Sequence, residues 1–474
     1  MENNLNKILN EVKERETPTP KRYSQVLGLA EKLKKKVEEE ALKHKVEAEV
    51  SVEGSVAKDT WLNDEVDIDI FMLIPETVER KILETVYMDV AKSSVKEYGW
   101  IERYAEHPYV EAVVEDGIKV NIVPCYKVKP PNWKTATDRT PYHTQYVKTH
   151  LKEEQKADVR ILKRFMKGID VYGADIKTGG FSGYLTELLI IYYGSFLETI
   201  KAASKWRLSE IIDVEGYYKE DPEEPKRLFS EPLILIDPVD KNRNVAAAVK
   251  LEKLNIFRSA SKFFLKKPSL KFFYPPKTTP LSLREIEKIL TTHPSNLLFL
   301  KLGKVEAVPD VLWGQIYKTL KALKNFLEKF DFKVLRTSAW SDEQENSILI
   351  FELENLNLKN IKKHYGPPIS SPEEEKFTGK YVQSPRTVSG PYIENGRWVV
   401  LVKRKHLNAK KLLEERLKSE DFGRGIGVAS KISETLKKGF KIFVDGEVVP
   451  FYRENNSFAV FLTRFLRGKP DWLE

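Results

Sequence analysis

Cysteine is almost missing from this chain. Cys125 stands alone among 474 residues, which excludes an internal disulfide framework and any cysteine-rich zinc site and suits a reducing cytosol. Histidine is sparse too, and its seven positions (His44, His107, His143, His150, His293, His364, His406) show no metal-ligand clustering. No apolar run reaches the roughly 18 residues of a membrane span. The N-terminal Met-Glu-Asn-Asn-Leu lacks the form of a signal peptide. A soluble, cytoplasmic protein with no membrane partner is the expectation.

What is present is ordinary globular material. With 41% hydrophobic and 31% charged residues over this length, the chain is too apolar to be disordered and long enough for several domains. Lys and Arg number 79 against 70 Asp and Glu, a formal net charge of +9. That excess fits a large anionic partner, but charge alone does not separate RNA from DNA or from no partner.

The most informative stretch is residues 54–69, Gly-Ser-Val-Ala-Lys-Asp-Thr-Trp-Leu-Asn-Asp-Glu-Val-Asp-Ile-Asp. It follows a strand-like run over 46–52. Gly54 can adopt backbone angles closed to other residues, and Ser55 offers a hydroxyl and a bare N–H where a short helix begins, a ready phosphate site. Lys58 lies one turn on and is expected to set a cation against the phosphates. In Val66-Asp67-Ile68-Asp69-Ile70-Phe71, strand alternation sends Asp67 and Asp69 to one face and Val66, Ile68 and Ile70 to the other. Two carboxylates on one face suit Mg²⁺, whose octahedral shell is completed by water and phosphate oxygens. A Gly-Ser pair alone is an ordinary turn; the Asp-x-Asp at this distance makes it a sign of phosphoryl transfer from a nucleoside triphosphate.

Around this motif the chain is organised simply. Residues 3–13 read as a short helix broken at Thr17-Pro18-Thr19-Pro20, and 24–44 as a longer one with a charged exterior. Runs over 109–114 and 118–123 flank Asp116-Gly117, a hairpin signal that extends the sheet beside the Asp-x-Asp strand. From 151 the pattern turns helical. Within 158–167, Val159, Leu162, Phe165 and Met166 share an apolar face, and Arg160, Lys163, Arg164 and Lys167 share a basic one. Such a face is ordinarily solvated surface; its nearness to the triphosphate motif singles out Lys163. The glycine-rich segment 173–183 lacks the P-loop order and precedes an apolar helix over 184–203. Beyond 266, strands are expected over 296–302, 347–354, 398–403 and 442–451, with helices near 313–330 and 409–418. Lys262, Lys266, Lys267, Lys271 and Lys277 interleave with Phe263, Phe264, Phe272, Phe273 and Tyr274, a run that either stacks bases and neutralises phosphates or forms an amphipathic connector. The division expected is 1–150, 151–265 and 266–474.

Several segments carry a family resemblance. Gly54-Ser55 with Asp67-Ile68-Asp69, His107-Pro108-Tyr109, Ile122-Val123-Pro124-Cys125-Tyr126, Arg139-Thr140-Pro141-Tyr142-His143, Val171-Tyr172-Gly173-Ala174, the run Gly180 to Leu188 and the run Asp237 to Ala247 resemble, in that order, the archaeal class I CCA-adding enzymes. These are tRNA nucleotidyltransferases of the DNA polymerase β superfamily, which build or repair the 3′-terminal CCA of tRNA from CTP and ATP. The likeness runs from residue 20 to 250, and Tyr392 to Trp398 still has the family's form. It implies an α+β multidomain chain: a polymerase-β-like mixed-sheet catalytic domain (1–150), a helical central domain completing the nucleotide pocket (151–265), and C-terminal α/β domains that hold RNA (266–474). It implies Mg²⁺ as cofactor, CTP and ATP as substrates, and the acceptor arm and 3′ end of tRNA as partner. A homodimer is compatible with the sequence, which does not fix the oligomeric state.

The resemblance also implies residue roles. Ser55 and Lys58 contact the triphosphate, Lys58 standing where the family more often has arginine. Asp67 and Asp69 hold Mg²⁺, Asp67 in place of the more usual glutamate. His143, Lys163 and Tyr172 line the nucleotide pocket, and Arg243 faces the incoming base. The last role has a physical rationale of its own: cytosine N3 and adenine N1 accept hydrogen bonds, uracil N3 and guanine N1 carry hydrogens, and arginine only donates. An arginine on that edge accepts C and A and repels U and G.

One position departs from the pattern. Asn121 stands where the family has its third catalytic and metal-binding aspartate. An amide ligates a metal weakly and cannot deprotonate a 3′-hydroxyl, and such a loss slows chemistry by about 10²–10⁴-fold. An engineered change, a natural loss of activity and compensation by a neighbour all stay open. Compensation is the least favoured, because Glu115 and Asp116, the nearest carboxylates in sequence, fall at the hairpin turn. The alternatives to CCA addition are another template-independent RNA nucleotidyltransferase, of poly(A) or oligoadenylate type, and a catalytically inactive tRNA-binding protein.

Overall fold

Pro20 begins a helix rather than ending one. In the computed structural model, which describes residues 2–104 and 107–473, α1 (Glu2–Glu16) stops before Pro18, and α2 (Pro20–Lys43) carries Pro20 in its first turn, where a missing N–H costs nothing. Thr19 caps it, its side chain accepting from the Arg22 N–H at 3.2 Å. The helix therefore starts earlier than the expected residue 24.

The described residues divide into two units, Met1–Lys277 with Lys469–Glu474, and Thr278–Gly468. The first is built on a mixed sheet of β1 (Glu49–Glu53), β2 (Asp67–Pro75), β3 (Gly99–Tyr104), β4 (Pro108–Val113) and β5 (Lys119–Lys127), in the order β1-β2-β5-β4-β3. Only β2 and β5 run parallel. One helical turn, α3 (Gly54–Ala57), joins β1 to β2, and α4 (Arg80–Ile82) passes through a π turn into α5 (Met88–Ser94). The β4–β5 hairpin turns at Asp116 and Gly117, with φ of 55° and 72°, as the Asp-Gly signal requires. Ile68, Ile70, Val120 and Ile122 point into one core with Val26, Leu33 and Val37 of α2. Each such buried side chain contributes about 1.5–3 kcal/mol, and this anchoring fixes the register that leaves Asp67, Asp69 and Asn121 on the other face.

The rest of the first unit comprises α6 (Thr140–His150), α7 (Gln155–Gly168), α8 (Gly183–Tyr193), α9 (Phe196–Ala203), β6 (Glu210–Asp213), α10 (Glu224–Leu228), β7 (Leu233–Asp237), β8 (Asp240–Asn244) and α11 (Leu251–Lys266). Three expectations change here. The single helix over 184–203 is two, because Gly194 takes φ 92° and Ser195 caps α9 through the Glu198 N–H. A three-stranded sheet, β6-β7-β8, stands inside the region expected to be helical; all of β7 is buried, and a short, fully buried apolar run has no period to reveal it. The basic face of α7 is not solvated. Arg160 donates to Asp59 O at 2.7 Å and Trp61 O at 3.1 Å, Arg164 to Glu16 at 3.0 Å, and Lys167 pairs with Glu65, so that face docks against the segment around the Asp-x-Asp motif. Of the two alternatives for the aromatic and lysine run over 262–277, the connector fits three of its rings: Phe264, Phe272 and Phe273 are buried around Phe165, with ring centroids 5.4–5.9 Å apart, and Trp472 stacks on Phe272 at 5.5 Å.

The second unit contains a four-stranded sheet, β10-β11-β9-β15, made of β9 (Asn296–Leu302), β10 (Val334–Ser341), β11 (Ser347–Leu353) and β15 (Phe440–Val444), and a three-stranded one, β12-β14-β13, made of β12 (Ile361–Pro368), β13 (Thr387–Glu394) and β14 (Arg397–Lys403). The former is covered on one face by α13 (Pro309–Lys329), α15 (Ala409–Leu417) and α16 (Ser430–Lys438), and on the other by α12 (Leu283–Thr292), α17 (Val449–Glu454) and α18 (Asn456–Arg467). α14 (Glu374–Val382) packs on the three-stranded sheet. The strand expected over 442–451 ends at Val444, where Asp445 takes φ 48° and a 3-10 turn over Asp445–Val448 leads into α17. Among the described residues no helix is long and apolar enough to cross a membrane.

Candidate active site

Two charged clusters meet beside the carboxylate face of the mixed sheet, all within the first unit. The first begins at Gly54, whose φ of 68° suits glycine and whose missing Cβ leaves room for Asp69 Oδ2. Ser55 follows in α3. Asp67 and Asp69 project from β2, and in the next strand Asn121 lies opposite Asp69 in register, donating through Nδ2 to Asp69 Oδ1 at 2.9 Å. Asn121 Oδ1 is buried without a hydrogen-bond partner. Burial pushes the Asp69 carboxyl up to about 6, with the Asp67 and Glu53 charges adding to it and the Asn121 hydrogen bond and Lys58 opposing. Asp67 is raised too, by burial and the Glu111 charge against the pull of Lys119.

Lys58 is only 8% exposed and is held by a buried carboxylate. Its Nζ donates to Glu187 Oε2 at 2.5 Å, and the Thr60 hydroxyl donates to Glu187 Oε1 at 2.5 Å. Lys163, 2% exposed, reaches the same group, donating to Thr60 O at 3.0 Å and lying 3.5 Å from Glu187 Oε1. A fully buried carboxylate attracts the cations that α3 and α7 bring to it. Burial pulls Lys163 down to about 8, the Lys58 charge assisting and Glu187 opposing. Burial pushes Glu187 up, but Lys58 and Lys163 together hold it below the usual carboxylate range. Tyr172 flanks this cluster: an added Cβ on Gly183 would lie 3.1 Å from the Tyr172 hydroxyl and 3.7 Å from Lys163 Nζ. Burial raises the Tyr172 hydroxyl, with the Glu187, Asp67 and Asp69 charges adding to it.

The second cluster centres on Asp237, which is fully buried. Its Oδ2 accepts from His143 Nε2 at 2.9 Å and Arg243 Nη1 at 2.7 Å, and its Oδ1 from the Tyr184 hydroxyl at 3.2 Å and the Val239 N–H at 3.1 Å. Burial alone would raise Asp237; His143 and Arg243 hold it below its ordinary value. Burial lowers His143 despite Asp237. Tyr184 joins the two clusters, its ring stacked on His143 at 4.0 Å with Lys58 Nζ 5.8 Å from its centroid. Arg243, 37% exposed at its side chain, borders a cavity of about 720 Å³ also lined by Trp133, Arg139, Ser182 and Asp240. Arg139 donates to Asp240 at 2.9 Å.

The structure thus gathers Asp67, Asp69, Asn121, Lys58, Lys163 and Tyr172 around one cluster and His143 with Arg243 around its neighbour. Sequence reasoning missed Glu187, Asp237 and Glu111. Glu187 had a visible signal, a lone charge in the apolar run Tyr-Leu-Thr-Glu-Leu-Leu-Ile-Ile, and such a charge needs a buried partner.

Three family models match the chain: a nucleotidyltransferase domain over 30–143, the second domain of tRNA nucleotidyltransferase over 157–274, and the C-terminal domain of CCA-adding enzyme over 293–445. The CCA-adding enzyme of Methanosarcina mazei is 39% identical over 420 residues, covering 88% of this chain and 88% of that relative. That of Methanosarcina barkeri is 38% identical over 459 residues, covering 96% and 97%. That of Pyrobaculum islandicum is 35% identical over 419 residues, covering 88% and 95%. The chain belongs to the CCA-adding enzyme family. The mixed sheet accordingly lies in the nucleotidyltransferase domain of a CCA-adding family member.

Nucleotidyltransferases use divalent metal ions, and the donor set of this CCA-adding family member fits one. Asp67 and Asp69 share a face, and the Asp67 charge adds to the burial that raises Asp69. Among the described residues no group of three or more His, Cys, Asp or Glu is placed to hold a metal by itself. A pair of carboxylates suffices for a cation that takes its remaining oxygens from water and substrate phosphates.

Proposed function

We propose that this chain adds the 3′-terminal CCA to tRNA from CTP and ATP, without a nucleic-acid template. The observation that carries this reading is the meeting of the Asp67–Asp69 face with the Lys58–Glu187–Lys163 cluster and the Arg243 cavity in a member of the CCA-adding family. The tRNA 3′-hydroxyl gives up its proton to water as its oxygen forms a bond to the α-phosphorus, the bond to the bridging oxygen breaks, and pyrophosphate leaves. Asp67 and Asp69, with Asn121 beside them, would hold Mg²⁺, which stabilises charge on the attacking and leaving oxygens when bound.

The protein's own groups do the rest. Ser55, Lys58 and Lys163 orient the triphosphate, Lys58 exchanging Glu187 for a phosphate oxygen. Tyr172 closes the pocket beside Lys163. His143 and Asp237 hold Arg243 where its donors meet cytosine N3 or adenine N1. Residues 278–468 hold the acceptor arm, and a small basic pocket of about 230 Å³ lined by Lys362, Lys380 and Arg386 suits a phosphate of its backbone. The setting is cytoplasmic.

Asn121 favours one second reading, tRNA binding without transfer. The test adds labelled CTP and ATP to tRNA ending before CCA, with Mg²⁺, using this chain and its Asn121→Asp form. Addition of C, C and A supports the enzyme, and a large gain on restoring aspartate measures what the amide costs. If both forms bind tRNA and neither adds a nucleotide, the binding protein replaces the enzyme.

A further inference from the structure

The carboxylate face does not end at Asn121. The cross-strand register runs Glu53, Asp69, Asn121, Glu111 across β1, β2, β5 and β4, and directly paired residues project from the same face of a sheet. Glu111 is therefore the side chain next to Asn121 on the side away from Asp69. The carboxylates nearer in sequence are engaged elsewhere, Glu115 with Lys32 at 2.7 Å and Asp116 with Gln25.

Glu111 also has an oxygen to offer. Arg103 donates to Oε1 only, from Nε at 3.3 Å and Nη2 at 3.0 Å, and the side chain is 17% exposed. Asn121 turns its amide nitrogen to Asp69 at 2.9 Å and leaves Oδ1 buried and unpaired, so the strand between the two carboxylates supplies polarity without charge. Neighbouring strands lie about 4.8 Å apart, which puts Glu111 about 10 Å from Asp69 at the backbone. With Arg103 of β3 drawing the Glu111 carboxylate to the far side of β4, that spacing keeps the two from touching one ion directly. It is the right distance for a carboxylate that meets the ion through a water, and Mg²⁺ keeps several of its waters in such sites.

On the nucleotidyl-transfer reading, we infer that Glu111 supplies, through the water shell of the bound cation, the negative charge that Asn121 lacks. It is a positioning residue: it holds the ion's waters, and its carboxylate replaces at one remove what an aspartate at 121 provides directly.

The test measures Mn²⁺ binding to the full chain by the electron paramagnetic resonance of free Mn²⁺, alongside CTP and ATP addition. The variants are Glu111→Gln, Arg103→Ala, Asn121→Asp, and Glu111→Gln combined with Asn121→Asp. Glu111→Gln is expected to weaken Mn²⁺ binding about 10–100-fold, the usual cost of losing an outer partner of a metal site, and to slow addition with it. Asn121→Asp is expected to cancel that loss, the double variant binding Mn²⁺ at least as well as the parent. Arg103→Ala is expected to keep or tighten Mn²⁺ binding, because it frees the Glu111 charge. Parental Mn²⁺ binding by Glu111→Gln overturns the inference. So does a defect that Arg103→Ala reproduces and aspartate at 121 does not relieve, since Glu111 would then be an ion-pair partner alone. Failure of the transfer reading is separate: Asn121→Asp would bind Mn²⁺ and still add no nucleotide.

Discussion

Arg243 donates to Asp237 at 2.7 Å, and the oxygen that accepts this bond also accepts from His143 at 2.9 Å. A half-exposed guanidinium is thereby tied to a carboxylate that no solvent reaches. One of its donors is spent on Asp237, which fixes the plane of the guanidinium beside the cavity that Arg243 lines.

Selection of C and A should depend on that tie. A hydrogen bond to a charged group is worth about 1.5–3 kcal/mol, or about 10–100-fold in rate. Asp237→Asn keeps the shape and removes the charge. It is expected to lower discrimination of CTP and ATP against UTP and GTP by that factor, and Arg243→Ala by at least as much. Single-nucleotide kcat/KM values for the four triphosphates check this. Equal losses for all four with Asp237→Asn would make Asp237 a fold residue and not a specificity one.

Gly54 offers a second test. Its positive φ and its position against Asp69 Oδ2 leave no space for a Cβ. Gly54→Ala is expected to push the Asp69 carboxylate off its position and lower addition about 100-fold, the usual cost of a displacement near 1 Å at reacting groups. tRNA affinity should change little, because the change is confined to the β1–α3 turn. Filter binding of tRNA beside the addition rate separates the two effects.

Which parts of this arrangement were legible in the sequence follows from range. The placement of Asp67 and Asp69 on one face is a local consequence of a two-residue period, and the hairpin at Asp116-Gly117 of two backbone angles, so both could be read directly. The basic face of α7 could not be, because its partners Glu16, Asp59 and Glu65 lie about a hundred residues or more earlier, and a pattern of charges does not say what it faces. For the same reason the sequence does not show that Glu187, 129 residues on, holds Lys58. Glu111 was hidden by register: it is farther from Asn121 along the chain than Glu115 or Asp116, yet directly opposite across the ladder. The strand β7 was lost because a short buried run has no alternation, and β6 and β8 because four or five residues of Glu-Ile-Ile-Asp and Asp-Lys-Asn-Arg-Asn carry no apolar period.

The depressed Lys163 gives a pH dependence with a definite sign. Burial brings its ammonium down to about 8, so in the free protein it is charged below that pH and neutral above. A triphosphate favours the charged form. Nucleotide affinity is therefore expected to be level below pH 8 and to fall as pH rises through it, by at most tenfold per unit. Lys163→Met should bind weakly and without this slope. Equilibrium binding of CTP between pH 7 and 9.5 decides, and a parental affinity that stays flat through pH 8 to 9 removes Lys163 from the phosphate site.

Glu187 should show opposite effects on stability and on binding. It is a fully buried carboxylate facing Lys58 at 2.5 Å and Lys163 at 3.5 Å. Removing one member of a buried charge group leaves its partners uncompensated and costs about 3–5 kcal/mol. Glu187→Ala is expected to lower the stability of the first unit by that amount in chemical denaturation. Glu187→Gln should cost less, since an amide oxygen still accepts one bond. Glu187 also holds Lys58, which on the proposed reading a triphosphate recruits, so weakening that contact lowers the cost of the exchange. Glu187→Gln is expected to bind CTP more tightly than the parent while unfolding at a lower denaturant concentration. Weaker CTP binding together with the stability loss would show that Glu187 aims Lys58 at the phosphates instead of competing with them.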